Sequence, residues 1–210
     1  MFMMFPSHDR KGYGAAASQL YKDVNKLKNM INVEYKYHDF QAAEKVDRTA
    51  TVQVLNFINQ GDTDQTHDGA MFRMKSIQLN GTLTLSSPTA HKTRIALVLD
   101  TDSASNTVTP SYSDIYDSFG YEWNAMRNLD NRSRFIIMKQ WDISLSPNSR
   151  EQTNIKYFRK LDHKVQIIGT TASESNLRKN ALYLVMLSDA SNGANEVDFD
   201  YTTRIRYIDN

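Results

Sequence analysis

Cysteine is absent from the 210-residue sequence. Its absence excludes disulfide bonds, cysteine-ligated zinc sites and thiol nucleophiles. A marked excess of one charge is missing too, because 25 Lys and Arg residues face 24 Asp and Glu residues and the net charge is only +1. Any binding of nucleic acid must therefore depend on a local basic patch. No apolar run approaches the ~20 residues that cross a bilayer, so we expect no membrane partner.

Motifs for catalysis and for cofactor binding are missing as well. The sequence contains no GxGxxG motif, no P-loop, no Gly-x-Ser-x-Gly elbow and no HExxH motif, and its five histidines are scattered. We therefore expect no enzymatic activity, no cofactor and no catalytic metal. A cupin-type enzyme would need two histidines and a glutamate clustered around a metal, which this sequence does not offer.

Two groups of aspartates offer a different chemistry, the chelation of calcium at a contact between subunits. The first group comprises Asp62, Asp64 and Asp68, and the second comprises Asp100 and Asp102. The first group lacks the glycine and the distal glutamate of an EF-hand loop. Turn formation is the simpler interpretation, because aspartate is frequent in turns.

The sequence does contain enough apolar material for one core. Hydrophobic residues make up 40% of the chain and aromatic residues 10%. For a chain of this size, roughly 70% of the unfolded surface is buried on folding. We expect one domain that is stable without cross-links, preceded by an N-terminal arm.

Only one segment has clear helical periodicity, Ala15–Ile31. Its apolar residues recur at spacings of four, three and four, which places them on one helical face: Leu20, Val24, Leu27 and Ile31. The opposite face carries three lysines: Lys22, Lys26 and Lys28. These lysines are candidates for phosphate contacts, with Tyr13 and Tyr21 stacking on unpaired bases. Alternatively, the lysines are simply solvated while the apolar face packs on the barrel or on a neighbouring helix.

Strand patterns begin at Thr49. Alternating or β-branched runs predict seven strands, at Thr51–Ile58, Met71–Leu85, Lys92–Asp100, Arg134–Leu145, Ile155–Ile168, Ala181–Leu187 and Glu196–Ile208. Gly81, inside the second of these, suggests a bulge or a bend. Seven or eight strands with few helices indicate an antiparallel sandwich or barrel.

A long polar connection, Thr101–Arg132, interrupts the strands and contains a candidate helical turn at Tyr112–Phe119. Loops of this length in a compact domain usually carry function or form contact surfaces. Near its end, Tyr121 and Trp123 are predicted anchors of a subunit contact or a host-receptor site. The alternative is a locally buried aromatic cluster beneath the loop.

Two aspartates of the last predicted strand require a positive partner. Asp198 and Asp200 lie on the same strand face and repel each other unless a cation or an arginine meets them. Arg204 and Arg206 are the predicted partners, in a structural ion pair rather than a metal site.

Several stretches gain meaning from their order and spacing. They are Gln60-Gly61-Asp62 with Gly69, Arg73–Thr82, Arg94–Asp100, Asn131–Lys139, Asn180–Leu184 and Arg204–Asp209. Over about residues 50–209, this series resembles the capsid protein of small circular, Rep-encoding single-stranded DNA (CRESS-DNA) viruses. Its layout is also similar to the coat proteins of plant satellite viruses, which carry single-stranded RNA.

The resemblance implies an all-β protein, a single eight-stranded antiparallel jelly roll at residues 37–210. It also implies a short arm at residues 1–36 with an amphipathic helix, and assembly of about sixty copies into a T=1 icosahedral shell. The implied partners are other copies of the chain, a single-stranded genome, expected to be DNA, and an unidentified host-cell receptor. The implied location is the virion, with the nucleus as a possible place of assembly. The alternative function is a free-standing lectin-like jelly roll that binds sugars near Trp123 and Tyr121.

The arm departs from the pattern of that family, whose members usually begin with a strongly arginine-rich arm that meets the genome inside the shell. The corresponding candidates here are Arg10, Lys11, Lys22, Lys26 and Lys28. Residues 1–36 contain six basic and three acidic residues, a net charge of +3. Sixty arms supply about 180 positive charges, whereas a kilobase of single strand carries on the order of a thousand phosphates. Mobile cations, inward-facing basic residues of the barrel, or an arm that this numbering omits must therefore contribute.

Overall fold

The computed structural model of the chain describes residues 11–30, 35–103, 109–117, 123–170, 176–193 and 196–209, without the side chains of residues 11–16 and 27–30. Backbone contacts divide the chain into two compact units, Met1–Glu34 and Tyr35–Asn210. Within the described ranges, no helix is both long enough and apolar enough to cross a membrane.

The first unit contains one helix, α1, which spans Lys11–Met30. It begins four residues before the predicted start and ends one residue before the predicted end. Gly12 and Gly14 precede the predicted start at Ala15, and both lie in the first residues of α1. Helix propensity is a weak determinant at such positions, because the first four N–H groups have no partner within the helix.

The second unit is almost entirely β-structure. Its strands are β1 (Lys36–Lys45), β2 (Thr51–Val54), β3 (Met71–Leu85), β4 (His91–Asp100), β5 (Tyr116–Asp117), β6 (Met126–Arg127), β7 (Phe135–Leu145), β8 (Gln152–Ile167), β9 (Leu177–Lys179), β10 (Ala181–Ser188) and β11 (Val197–Asp209). One short helix, α2 (Tyr112–Ile115), immediately precedes β5.

The strands form two principal antiparallel sheets. The first sheet has the order β1-β11-β3-β8-β9, and the second has the order β2-β10-β4-β7. Apart from the three-residue β9, each sheet therefore contains four strands, and the chain changes sheet at every connection between them except that from β4 to β7. This arrangement is the eight-stranded jelly roll, and the predicted fold is confirmed.

The strand β1 was missed by the sequence pattern. The apolar residues of this strand are Tyr37, Phe40, Ala42 and Ala43. They do not form the hydrophobic run that would predict a strand. The strand forms because it pairs along its whole length with β11, from Lys36 opposite Tyr207 to Lys45 opposite Asp198. Pairing across the sheet determines such an edge strand more strongly than its own residue preferences do.

The strand β2 is shorter than predicted, because it ends at Val54 rather than at Ile58. Beyond that point the side chain of Asn56 makes hydrogen bonds with the backbone of the neighbouring chain segment in place of strand pairing. Its amide donates to the carbonyl of Asn180 and accepts from the N–H of Leu182, both at 2.9 Å. Ile58 is still buried in the core. The apolar pattern therefore reported burial correctly, although the backbone there is not a strand.

Gly81 does not mark a bulge. The pairing of β3 runs through Gly81 without a shift, opposite Tyr201 on one side and Ile155 on the other, and the register shift in β3 lies between Met74 and Ser76. A Cβ atom at Gly81 would lie 2.6 Å from the ring of Phe199. The glycine is therefore needed because a buried aromatic ring occupies the space of a side chain.

Candidate subunit and nucleic-acid surfaces

The predicted arm candidates lie in or near α1. Lys22 and Lys26 are exposed and one helical turn apart, so they share a face. Leu20 and Tyr21 are exposed too, at 66% and 70%. Lys11 and Lys28 belong to the helix, but their side chains lie outside the described part of the chain, as does the whole of Arg10.

The long connection between β4 and β7 forms a small structure of its own, which we call the insertion (described residues 109–117 and 123–134). The predicted helical turn is present but shorter, because α2 ends at Ile115 and the chain continues into β5. Ser111 and Asp114 fix its start, with the Ser111 N–H and hydroxyl donating to Asp114 at 2.7 and 2.8 Å. The rings of Tyr112 and Tyr116 stack with their centroids 4.8 Å apart.

Arg94 of β4 holds the insertion against the outer face of the second sheet. Its side chain is 6% exposed and donates to Asp142 at 2.7 Å and to the carbonyl of Ala125 at 2.5 Å. The guanidinium lies 4.8 Å from the ring centroid of Tyr116. Burial lowers the pKa of Arg94, but Asp142 and Tyr112 outweigh this effect and raise the pKa above its ordinary value. The cation is therefore fully paired where it is buried.

Further contacts close the same face. The hydroxyl of Tyr116 donates to Gln140 at 2.9 Å, and burial raises the pKa of Tyr116 well above its ordinary value. Arg127 donates to the carbonyl of Phe135 at 2.5 Å. All eight residues of β10 and nine of ten in β4 are buried. The outer face of the second sheet is thus an interior surface, covered by the insertion.

Asp100, one of the calcium candidates, is instead part of a buried ion pair. Its side chain has no exposure, and Arg134 donates to its two oxygens at 2.9 and 2.7 Å. The hydrogen bonds to Asp100 raise the pKa of Arg134 despite the opposing effect of burial. This pair fixes the end of the insertion to the end of β4.

The other calcium candidates are not gathered into a metal site. Asp68 pairs with Lys36 at 3.2 Å, and the same ammonium group contacts Asp209 at 2.8 Å. In the part of the chain that the structure describes, no three His, Cys, Asp or Glu side chains are placed to hold a metal ion.

Trp123 lies in the insertion and is half-buried, with the ammonium group of Lys92 4.9 Å from its ring centroid. Tyr121 lies outside the described residues. Two apolar side chains of the insertion are exposed nearby in sequence, Met126 at 80% and Leu129 at 65%. Trp123 therefore belongs to a segment that presents apolar side chains to solvent, and its predicted role as a contact anchor stays a prediction.

The outer face of the first sheet is open and polar, and its ion pairs differ from those predicted. Asp198 pairs with Lys45, and Arg204 pairs with Asp39 at 2.6 Å, so the expected pairing of Asp198 and Asp200 with Arg204 and Arg206 is wrong. The reason is the register: Lys45 lies directly opposite Asp198, and Asp39 directly opposite Arg204. Directly opposed residues of neighbouring strands approach more closely than residues along one strand.

On β8 and β11, four basic residues of this open face have no carboxylate partner among the described residues: Lys156, Lys160, Lys164 and Arg206. Phe158, between Lys156 and Lys160 on the same face of β8, is 59% exposed. Sequence reasoning missed this group. The signal was present, because alternation along Asn154–Lys160 places every second residue on one side of the strand.

Comparison with known proteins adds the following. A family model described as "Geminivirus coat protein/nuclear export factor BR1 family" matches residues 8–210. None of the curated proteins matches the sequence. Among solved structures, the chain is similar to that of Desmodium yellow mottle tymovirus, with 10% identity, a TM-score of 0.35, and coverage of 83% of this chain and 87% of that chain. For Broad Bean Stain Virus the identity is 12%, the TM-score 0.33, and the coverage 83% and 85%.

Proposed function

Because the chain belongs to the geminivirus coat protein/nuclear export factor BR1 family, we propose that about sixty copies of it form a T=1 icosahedral shell around a single-stranded DNA genome. Family membership confirms the resemblance to capsid proteins of single-stranded DNA viruses, and the chain is a viral capsid protein. The copy number, the symmetry and the packaged genome are our proposals.

The observation that carries the proposal is the jelly roll with one covered and one open sheet face. The insertion packs on the outer side of the second sheet through Arg94, and β10 and nearly all of β4 are buried. The net charge of +1 supports close packing of many copies, because nearly neutral subunits do not repel one another strongly. Closed symmetry then makes many modest contacts effective together.

We further propose that the arm lies inside the shell and contacts the genome through Arg10, Lys11, Lys22, Lys26 and Lys28. In support, Lys22 and Lys26 are exposed on one face of α1. In this proposal, Tyr121 and Trp123 lie on a subunit or receptor contact. The exposed apolar residues of the insertion, Met126 and Leu129, are the support for a contact surface in that region.

The shell is tested by sedimentation and electron microscopy of the purified full chain. Sixty copies of a 24.1 kDa chain give a protein shell of about 1.4 MDa. We expect round particles of that mass, and nucleic acid extracted from them that DNase degrades and RNase does not. A stable monomer at high concentration and near-neutral pH would refute the shell, and RNase-sensitive contents would refute the DNA genome.

The role of the arm has a separate test. Replacing Lys22, Lys26 and Lys28 with Glu removes three positive charges and adds three negative ones in each copy. We expect particles with less nucleic acid and an unchanged shell, because phosphate binding depends on basic charge. The measurement is the ratio of absorbance at 260 and 280 nm in purified particles. An unchanged ratio contradicts the proposed role of the arm.

A further inference from the structure

The strand β8 carries an exposed aromatic side chain in the middle of an open polar sheet face. Phe158 is 59% exposed, and it lies directly opposite Gln78 of β3. Beyond Gln78, in the same row across the sheet, lies Arg204 of β11. The ring is therefore surrounded by polar side chains, and it has no apolar neighbour directly across the sheet.

Basic side chains surround this ring at regular intervals. Lys156 and Lys160 lie two residues to either side of Phe158, about 7 Å along the strand in each direction. Lys160 on β8 and Arg206 on β11 both lie opposite Ser76, which belongs to the strand between them, β3. They are therefore two strand spacings, or about 10 Å, apart. Lys164 continues the row further along β8. We call Lys156, Phe158, Lys160, Lys164 and Arg206 the platform.

The acidic groups of the same face do not neutralise the platform. Asp39 is held by Arg204, Asp198 by Lys45, and Asp162 by Lys75 at 2.7 Å. Asp200 lies two strands from Asn154 across Thr82, near the Lys156 end of the platform, where both residues line one shallow depression. The platform therefore carries four positive charges that no carboxylate of the described residues pairs with, although Asp200 lies in the same depression as Lys156.

A shallow depression of about 340 Å³ adjoins the platform at Lys156. Its lining is rich in amides and hydroxyl groups, from Gln41, Asn80, Thr82, Asn154 and Thr202, and it includes one carboxylate, Asp200. Amide groups can donate to and accept from the edge of a nucleobase, and lysines beside them can reach its phosphate.

We propose that the platform binds single-stranded nucleic acid, with an unpaired base stacked on Phe158 and phosphates on Lys156, Lys160, Lys164 and Arg206. An exposed aromatic ring between basic side chains on a sheet is the arrangement that stacks unpaired bases. A duplex cannot offer the face of a base, because its bases are already stacked on one another. The inference rests on the proposed genome-enclosing function and assigns part of the genome contact to the barrel. In a shell of about sixty copies, the platform would add about 240 positive charges to those of the arm.

The test uses the full-length chain, freed of nucleic acid, titrated into a fluorescein-labelled 20-nucleotide oligo(dT) at several salt concentrations. Phe158→Ala is expected to weaken binding about tenfold, which is a usual effect of removing one stacked base. Replacing Lys156, Lys160 and Arg206 with Gln is expected to make the dependence of log affinity on log salt less steep by about 2. We expect Phe158→Ala to weaken the binding of a 20-base-pair duplex less than it weakens the binding of the oligo(dT).

Matched controls use exposed residues outside the platform. Ile136→Ala removes an exposed apolar side chain of β7, and replacing Arg132, Lys139 and Arg150 with Gln removes the same charge elsewhere. Both are expected to leave oligo(dT) binding within about twofold of the unchanged chain. Equal losses in the control and platform variants would overturn the proposal, because binding would then follow net charge alone.

Sedimentation of the same variants separates this inference from the shell. If the unchanged chain forms shells but Phe158→Ala binds oligo(dT) normally, the platform is refuted and the shell stands. If Phe158→Ala blocks shell formation without changing oligo(dT) binding, the face is a contact between copies, which also refutes the platform. Loss of oligo(dT) binding with normal particles supports it, and failure of the unchanged chain to form shells refutes the shell alone.

Discussion

The two sheets of this jelly roll have outer faces of opposite character. The insertion packs on the outer face of the second sheet over β4 and β7, and β10 is buried at every position. The outer face of the first sheet is open, and β11 alternates between buried and exposed residues for most of its length. The comparison shows how one fold makes two different surfaces, one of which adds to the core while the other keeps its charges in solvent.

Arginine has a different role on each face. Arg94 is buried under the insertion, whereas the side chain of Arg204 is 47% exposed on the open sheet, although both pair with an aspartate. A buried charge whose partner is removed is costly, whereas an exposed pair contributes little. Arginine therefore stabilises the fold on the covered face, whereas on the open face its ion pair contributes little to stability.

The largest expected effect comes from breaking the covered face. Arg94→Leu leaves Asp142 without its partner and the buried carbonyl of Ala125 without a donor. We expect a loss of about 3 kcal/mol in the free energy of unfolding. Urea unfolding of dissociated subunits, followed by the fluorescence of Trp123 and Trp141, measures it. The matched change Arg204→Leu is expected to have a much smaller effect, because an exposed ion pair contributes little. Equal losses for the two variants would contradict the difference between the faces.

The next effect tests the packing beneath the open face. Gly81→Ala places a Cβ atom 2.6 Å from the ring of Phe199, which is fully buried and stacked on Tyr201 at 5.0 Å. We expect a loss of about 2 kcal/mol, because overpacking in a dense core forces neighbours to move. Urea unfolding measures this loss, and Asn80→Ala on the adjacent outward position is the control. An unchanged urea midpoint for Gly81→Ala would contradict this prediction, because the core below the open sheet would then accommodate the extra carbon atom without loss of stability.

A smaller effect compares two tyrosine hydroxyls. Tyr116→Phe removes the hydroxyl that donates to Gln140 under the insertion, and we expect a loss of about 1 kcal/mol in unfolding free energy. Tyr37→Phe removes a hydroxyl on the open sheet that accepts from Gln65 at 3.3 Å, and we expect almost no change. Thermal unfolding of both variants checks this, and a larger loss for Tyr37→Phe would reverse the comparison.

The smallest effect concerns acid. Hydrogen bonds from Arg204 hold the pKa of Asp39 below its ordinary value, against the opposing effect of partial burial. A lowered pKa means that the pair stabilises the folded state above the ordinary aspartate pKa and loses this effect as the pH falls through the lowered value. We expect Asp39→Asn to cost less than about 1 kcal/mol at pH 7, and a smaller amount at pH 2, below the ordinary aspartate pKa. Unfolding at the two pH values measures this, and an equal cost at both would contradict it.

Sequence patterns predicted the inner side of the barrel well. Met71–Leu85 was predicted with the bounds that β3 has, because its apolar residues alternate and one side is fully buried. The same reasoning failed for β1, whose inward positions include Lys36 and Glu44. Alternation is visible only where burial selects apolar residues, and an edge strand that carries charges lacks this signal.

The candidate sites were harder to predict than the fold. The lysines of α1 were found because a helix places residues three and four apart on one face. The role of Arg94 could not be predicted, because its partners lie 18, 31 and 48 residues away along the chain. The unpaired charges near Phe158 were missed for the same reason: which lysines lack a carboxylate depends on which strands become neighbours.

The sequence by itself determined the absence of cross-links, the near-neutral charge, seven of the eight principal strands and the helix, because each depends on composition or on local periodicity. Only the tertiary structure decided which charges meet. Asp39 and Arg204 are 165 residues apart, yet the jelly roll places them opposite each other on adjacent strands. Periodicity tells on which side of a strand a residue lies, but the order of strands in the sheet determines what lies beside it.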